Sequence, residues 1–224
     1  MSFASRFDNA TNLLNDRRIN EAISGYEAAI KESETDSERQ QALHMKGISF
    51  RVAGMFEQAY AAFEESIKLC ATPADEARVR RDKAMALLDD FTRNGRDIQR
   101  FNVAVRELTI SMSDLNRCGM HIEAAVSLSF IGRAYLLEGN RARAQRTFAK
   151  AHEVLADTSY TDHNVQYELN NLIWMARSSI KFRLLYALRA HEICREKNQP
   201  KRWKEYLIIL IGGDVLYRYV SAKE

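Results

Sequence analysis

Few residues of this chain have the types and spacing that metal binding or catalysis requires. His191 and Cys194 lie three positions apart in the stretch HEIC, which places both side chains on one face of a helix. Imidazole and thiolate are zinc ligands, but a structural zinc site normally has four ligands and this stretch supplies two. We therefore interpret His191 and Cys194 as core residues of a helix, and we expect no metal site.

Two further stretches contain only part of a reactive motif. Asp162 and His163 are adjacent at a position typical of a helix start. The sequence GGD at 212–214 is not a glycine-rich phosphate loop after a strand, and the chain contains no P-loop, dinucleotide-binding, HExxH or GxSxG pattern. The sequence therefore predicts a protein that is not an enzyme and has no cofactor.

The composition favours helices. Only two prolines and nine glycines occur in 224 residues, too few turn residues for a sheet protein. No run of 18 apolar residues exists, and the first residues lack a basic start followed by an apolar segment, so we expect neither membrane insertion nor secretion. The three cysteines are far apart and odd in number, which indicates a cytoplasmic location.

The charge is unevenly distributed along the chain. Lys and Arg outnumber Asp and Glu in residues 116–224, whereas acidic residues are in slight excess in residues 1–115. Such asymmetry is typical of solvated helix faces, and the alternative is an acidic partner.

Capping signals divide the chain into helices. Thr72 and Pro73 mark the start of one helix, and Asn140 follows Gly139 as the cap of another. The stretch at 93–97 is typical of a turn, and Gly119 is typical of a helix C-cap. Apolar residues recur at helical spacing between these signals, which predicts about eleven helices with short connections.

Two of the helix pairs share one residue pattern. The first pair contains Leu43, Lys46, Gly47, Phe50, Gly54, Ala59, Phe63 and Ser66, and at the same offsets the second contains Leu128, Ile131, Gly132, Tyr135, Gly139, Ala144, Phe148 and Ala151. This pattern resembles the tetratricopeptide repeat (TPR) family, and the long spacing between units is similar to its extended-repeat members. The resemblance implies that Gly47 and Gly132 allow close helix approach and that Gly54 and Gly139 form turns. It also implies that Ala59, Phe63, Ala144 and Phe148 fill the contact between the paired helices.

The resemblance implies an all-α, right-handed α-solenoid. We expect a single domain over residues 1–224, with about five helical hairpins at 3–34, 37–71, 74–118, 121–157 and 163–197 and a capping helix at 200–221. The first hairpin has Ala10 and Arg17 where the two glycines would lie.

In this family the first helix of each pair lines a groove that binds a protein or peptide. The groove candidates implied here are His44, Ile48, Arg51, Arg81, Leu88, Ser129, Arg133 and Leu136. Because arginine binds carboxylates through a planar fork, an acidic partner segment is one hypothesis, with Arg51, Arg81 and Arg133 on one surface. The Gly-Asn step of chaperone-binding members is missing, since Gly47 precedes Ile48 and Gly132 precedes Arg133.

Three functions remain open from the sequence. The first is a non-catalytic adaptor or scaffold that binds a partner in the groove. The second is a self-associating module, because the helix at 200–221 is apolar on several sides and could pair in a homodimer. The third, a regulator or nucleic-acid binder, lacks a helix-turn-helix domain, so we expect no nucleic-acid partner.

Overall fold

The computed structural model describes residues 2–95, 97–157, 165–178, 188, 189 and 192. Within those residues the secondary structure is entirely helical, which confirms the all-α prediction. None of the helices described there is long and apolar enough to cross a membrane. The helices are α1 (Phe3–Asn15), α2 (Ile19–Glu32), α3 (Asp36–Ala53), α4 (Phe56–Lys68), α5 (Pro73–Arg93), α6 (Ile98–Arg117), α7 (His121–Glu138), α8 (Arg141–Leu155) and α9 (Val165–Ser178).

The helix starts follow from capping residues. The Thr72 hydroxyl accepts a hydrogen bond from the Asp75 amide and Pro73 is the first residue of α5, while the Asn140 side chain accepts from the Arg143 amide. Both caps confirm the prediction. At the start of α3, Thr35 and Glu38 form a capping box that satisfies two amides that would otherwise lack a partner.

The chain divides into two compact units, Met1–Met120 and His121–Glu224. In the first unit each helix packs mainly against its neighbours in the sequence, and the first helices α1, α3 and α5 also contact one another in that order. In the second unit α8 packs on α7 and α9, and α7 also touches α9. This is the packing of a helical repeat, and the handedness and the number of repeats stay predictions.

Two glycines lie where the helices of a pair approach each other closely. A Cβ atom added to Gly47 would lie 2.7 Å from the Phe63 ring, and one added to Gly132 would lie 2.7 Å from the Phe148 ring. Both rings have no exposed surface. A side chain at either glycine would therefore require the helices to move apart.

The first hairpin reaches the same close contact by a different arrangement. Ala10 of α1 is fully buried, and the small partner is on the second helix, where a Cβ on Gly25 would lie 2.8 Å from that of Ala10. At the turn, Arg17 adopts a left-handed conformation with φ of 61°. The corresponding turn residues Gly54 and Gly139 have φ of 79° and 94°, a region that glycine adopts without strain.

Part of the predicted architecture lies outside the described residues. The capping helix at 200–221, His191, Cys194 and most of the hairpin at 163–197 belong to that part. The self-association hypothesis rests on the same helix and stays a prediction.

Candidate functional site

Charged side chains of neighbouring first helices meet on one surface of the first unit, which we call the α3–α5 face. It consists of His44 and Arg51 on α3 and of Arg81, Asp82 and Asp89 on α5. His44 and Arg51 are seven residues apart, as are Asp82 and Asp89, so each pair projects from one side of its helix two turns apart. The two helices therefore present matching basic and acidic rows.

The matching rows form one hydrogen-bonded pair and one ion pair across the two helices. His44 Nε2 lies 2.8 Å from Asp82 Oδ2, within hydrogen-bond distance. Arg51 Nε lies 3.6 Å from Asp89 Oδ2, an ion pair slightly too long for a hydrogen bond. All four side chains are between 16% and 22% exposed, so they are partly shielded and remain at the surface.

Asp82 is the electrostatic centre of the α3–α5 face. Burial alone would raise the pKa of this carboxyl group. Arg81, the hydrogen bond with His44 and the more distant Arg51 outweigh burial and lower the pKa of Asp82 to about 2. Asp82 is therefore ionised at neutral pH and holds α3 and α5 together.

This lowered pKa predicts a specific acid sensitivity. The ionised Asp82 contributes stability above its ordinary pKa of 3.8, and the contribution is lost as the pH falls from about 4 to about 2. The difference between the two pKa values corresponds to about 2 kcal/mol in the free energy of unfolding. Urea unfolding between pH 6 and pH 2 should show this loss in the wild type and its absence in Asp82→Asn. Parallel pH profiles would contradict the role given to Asp82.

Arg81 is the least exposed charged residue of this face. It retains 9% of its surface, and its Nε and Nη1 atoms are buried with no hydrogen-bond partner in the described part of the chain. The Oδ1 atom of Asp82 is 3.7 Å from Arg81 Nε, close enough for attraction but too far for a hydrogen bond.

The remaining groove candidates have mixed environments. Leu88 has no exposed surface, and Ile48 packs against the core that contains Phe63. In the second unit, the buried Ser129 hydroxyl contacts Asn171 Oδ1 at 2.8 Å, and the Arg133 guanidinium lies over the Trp174 ring at 5.2 Å. Leu136 packs beside Phe148. Leu88 and Ser129 are therefore not included in the binding surface proposed below.

The residues interpreted as structural lie in the helix contacts. Gly47, Ala59 and Phe63 are buried in the first unit, and Gly132, Ala144 and Phe148 are buried in the second. Gly54 and Gly139 end α3 and α7 in left-handed turns.

A second polar network was not anticipated from the sequence. The buried carboxylate of Asp90 on α5 accepts hydrogen bonds from Tyr60 of α4 at 2.8 Å, from Asn94 at 2.6 Å and from Arg100 of α6. Burial alone would raise the pKa of Asp90, but these three hydrogen bonds lower it below its ordinary value. The network joins three helices through one carboxylate.

The Asp90 network lines an open cavity of about 510 Å³ between the α3–α4 and α5–α6 turns. Arg100 also pairs with two other wall carboxylates, with Glu57 at 3.0 Å and with Asp97 at 3.5 Å. The polar groups of the wall are thus largely paired with one another, which is typical of a structural network.

The cysteines and histidines offer little further chemistry. Burial raises the pKa of the Cys70 thiol to about 11, so it is protonated and unreactive at neutral pH. Among the described residues no group of three or more His, Cys, Asp or Glu side chains is arranged to hold a metal ion.

Solved structures similar to this chain include TPR-like repeat proteins, whereas the chain matches no protein-family model and no curated protein. The apo form of RapI aligns with 99% of this chain and 84% of its own at 14% identity, with a TM-score of 0.71. The nearly identical TPR-like repeats of a putative kinesin light chain from Podosopora anserina align with 98% of this chain and 95% of their own at 16% identity, with a TM-score of 0.57.

A third similar structure is pilF of Pseudomonas aeruginosa. It aligns with 99% of this chain and 97% of its own at 15% identity, with a TM-score of 0.53. Together with the helix pairs described above, these similarities show that the chain has a TPR-like helical-repeat fold.

Proposed function

We propose that the chain is a non-catalytic adaptor that binds a segment of a partner protein on the α3–α5 face. The observation that carries this proposal is the row of partly exposed charged side chains on adjacent first helices. Folding alone would be served as well by well-packed apolar side chains at these positions, because replacing a largely buried ion pair with such side chains is often neutral or stabilising.

The surroundings of the charged face are suited to an extended segment. Gln41 on α3 is exposed and lies three residues before His44, and Val52 is 45% exposed next to Arg51. These two residues are eleven positions apart, close to three helical turns, so they bound a strip about 16 Å long on one side of α3. A strip of this length contacts about five residues of an extended chain.

Site-specific cross-linking tests where the partner binds. A photoreactive phenylalanine derivative at Gln41 or Val52 is expected to cross-link one partner segment in extracts of cells that express the protein. The same derivative at Glu65, which is exposed on the second helix α4, is the control and should give no such product. Peptide mass spectrometry identifies the segment. Equal cross-linking at Glu65, or no cross-linking at Gln41 and Val52, would contradict a binding face on α3 and α5.

A further inference from the structure

Helix α8 of the second unit carries an unbalanced positive charge. It contains one acidic residue, Glu153, and four Arg and Lys residues, Arg141, Arg143, Arg146 and Lys150. All five side chains are exposed, and none of the four cations forms an ion pair within the part of the chain that the structure describes. The positive charge of α8 is therefore accessible at the surface and does not hold neighbouring helices together.

The start of α8 is where positive charge is least favourable for folding. A helix N-terminus carries partial positive charge, so acidic residues are favoured in the first turn. The second helices α2 and α4 have Glu21 and Glu57 there, whereas α8 has Arg141 and Arg143 and no acidic residue. Residues 138–153, which include the exposed carboxylate before the turn, contain four basic and two acidic side chains. Helix stability therefore does not explain these cations.

Three of the cations form a row along the exposed side of α8, which we call the α8 row. Arg146 and Lys150 follow Arg143 by three and seven residues. The three residues therefore lie within about 60° of the helix circumference and span about 10 Å along its axis. The Arg143 guanidinium lies over the Tyr135 ring of α7 at 4.0 Å, a contact that orients the group and leaves its charge in place.

Two exposed alanines lie beside the α8 row. Ala142 and Ala149 are also seven residues apart, and they flank Arg146 on the helix surface. A seven-residue repeat is the spacing at which a second helix stays in contact with the first, and small side chains let the two axes approach. Within α8, which the structure describes in full, no large apolar side chain is exposed that could enter a lipid bilayer.

We propose that the exposed side of α8 docks an acidic helix of a partner protein, in which Asp or Glu residues recur at spacings of three, four and seven. The carboxylates of that helix pair with the α8 row, and its backbone packs over Ala142 and Ala149. A nucleic acid or an anionic membrane would use the same cations but would gain nothing from the alanine pair, so the alanines favour a helix. This surface lies in the second unit and is independent of the adaptor function proposed for the α3–α5 face.

Selection from a library of helical peptides tests this proposal. Peptides of three heptads, with an alanine-rich framework and random residues on one face, are displayed on phage and selected on the immobilised full-length chain. A parallel selection uses the row variant, in which Arg143, Arg146 and Lys150 are all replaced with Gln. Glutamine keeps much of the side-chain length and removes the charge.

The control variant loses the same charge from the first unit. It carries Lys31→Gln, Lys68→Gln and Arg106→Gln, at exposed positions of the second helices α2, α4 and α6. Circular dichroism verifies that each variant is folded. If the row variant does not fold, the single charge reversal Arg146→Glu replaces it.

The expected result is enrichment of peptides with Asp or Glu at the stated spacings on the wild type and on the control variant, and loss of that enrichment on the row variant. For a synthetic copy of an enriched peptide, the row variant should weaken binding by about 10-fold. Replacing the Glu residues of the peptide with Gln should weaken binding to the wild type similarly and have little further effect on the row variant. Ala149→Gln should also weaken binding, by about 3-fold or more, because the added bulk separates the helix axes.

Several outcomes would overturn the acidic-helix proposal. These are no enrichment on the wild type, enriched peptides without the acidic spacing, and equal affinity for the wild type and the row variant. Unchanged affinity of Ala149→Gln would contradict the helix contact. Fluorescence anisotropy with random-sequence duplex DNA, and sedimentation with vesicles that contain phosphatidylserine, measure the competing partners. Binding of either one that is lost in the row variant, without enrichment of acidic helices, would assign the α8 row to phosphate groups instead.

Discussion

Replacing Asp90 with alanine is expected to lower the free energy of unfolding by about 3 kcal/mol, the largest effect of any single substitution that we predict. The Asp90 carboxylate is 97% buried, since 3% is exposed, and it accepts from Tyr60, Asn94 and Arg100 on or next to three helices. Removing it leaves the Tyr60 hydroxyl without its acceptor and Arg100 without its most buried partner. Because Arg100 is 39% exposed and retains Glu57, we place the loss at the lower end of values for a broken buried pair.

Chemical denaturation of Asp90→Ala, Asp90→Asn and a matched control measures this loss. Glu64→Ala is the control, because Glu64 also pairs with a cation of α5 but is 51% exposed. This substitution should lower the free energy of unfolding by less than about 1 kcal/mol. The free energy of unfolding of Asp90→Asn should fall between those of the two alanine variants, since the amide oxygen still accepts a hydrogen bond but carries no charge. Similar values for Asp90→Ala and Glu64→Ala would show that the network does not support the fold.

Replacing Gly132 with leucine is expected to destabilise the second unit by about 1–3 kcal/mol. The new Cβ would lie 2.7 Å from the Phe148 ring, which has no exposed surface. Leucine has a higher helix propensity than glycine, by somewhat less than about 1 kcal/mol. The measured destabilisation is therefore the cost of overpacking minus this gain in helix propensity.

Thermal unfolding of Gly132→Leu tests this contact, with Ala149→Leu as the control on the exposed side of α8. The double variant Gly132→Ala with Phe148→Leu separates overpacking from other effects. Phe148→Leu frees the space beside the glycine, so the added methyl group should cost less in the double variant than alone. An unchanged melting temperature for Gly132→Leu would contradict the close-approach role.

The fold was predictable from sequence because its determinants are local. The capping residues Thr72 and Asn140 lie next to the helices that they start, and the recurring glycine offsets report a contact within one hairpin. The first hairpin was harder to interpret, because the close contact there depends on Gly25 of the second helix. Arg17 also occupies a conformation that its residue type does not indicate.

The candidate site was only partly predictable, because charge pairing depends on contacts between hairpins. His44, Arg51 and Arg81 were chosen for their positions on first helices, yet their environment is set by Asp82 and Asp89, which the sequence did not single out. The shared seven-residue spacing of the basic and acidic pairs was a usable signal. The residues next to Leu88 in the sequence do not indicate that its side chain is buried, because its burial comes from neighbouring helices.

The packing of each helix against its neighbours in the sequence has a kinetic consequence. The helices of the first unit are joined by connections of two to four residues, so forming each contact closes only a short loop and costs little chain entropy. Folding can then begin at any hairpin and spread stepwise, as in other quasi-one-dimensional proteins. Among the described helices of this unit, α5 contacts α3, α4 and α6, whereas α1 contacts only α2 and α3. Because α6 in turn contacts only α5 among these helices, opening of the unit should begin at its terminal helices α1 and α6 and reach the Asp82 side of the charged face last.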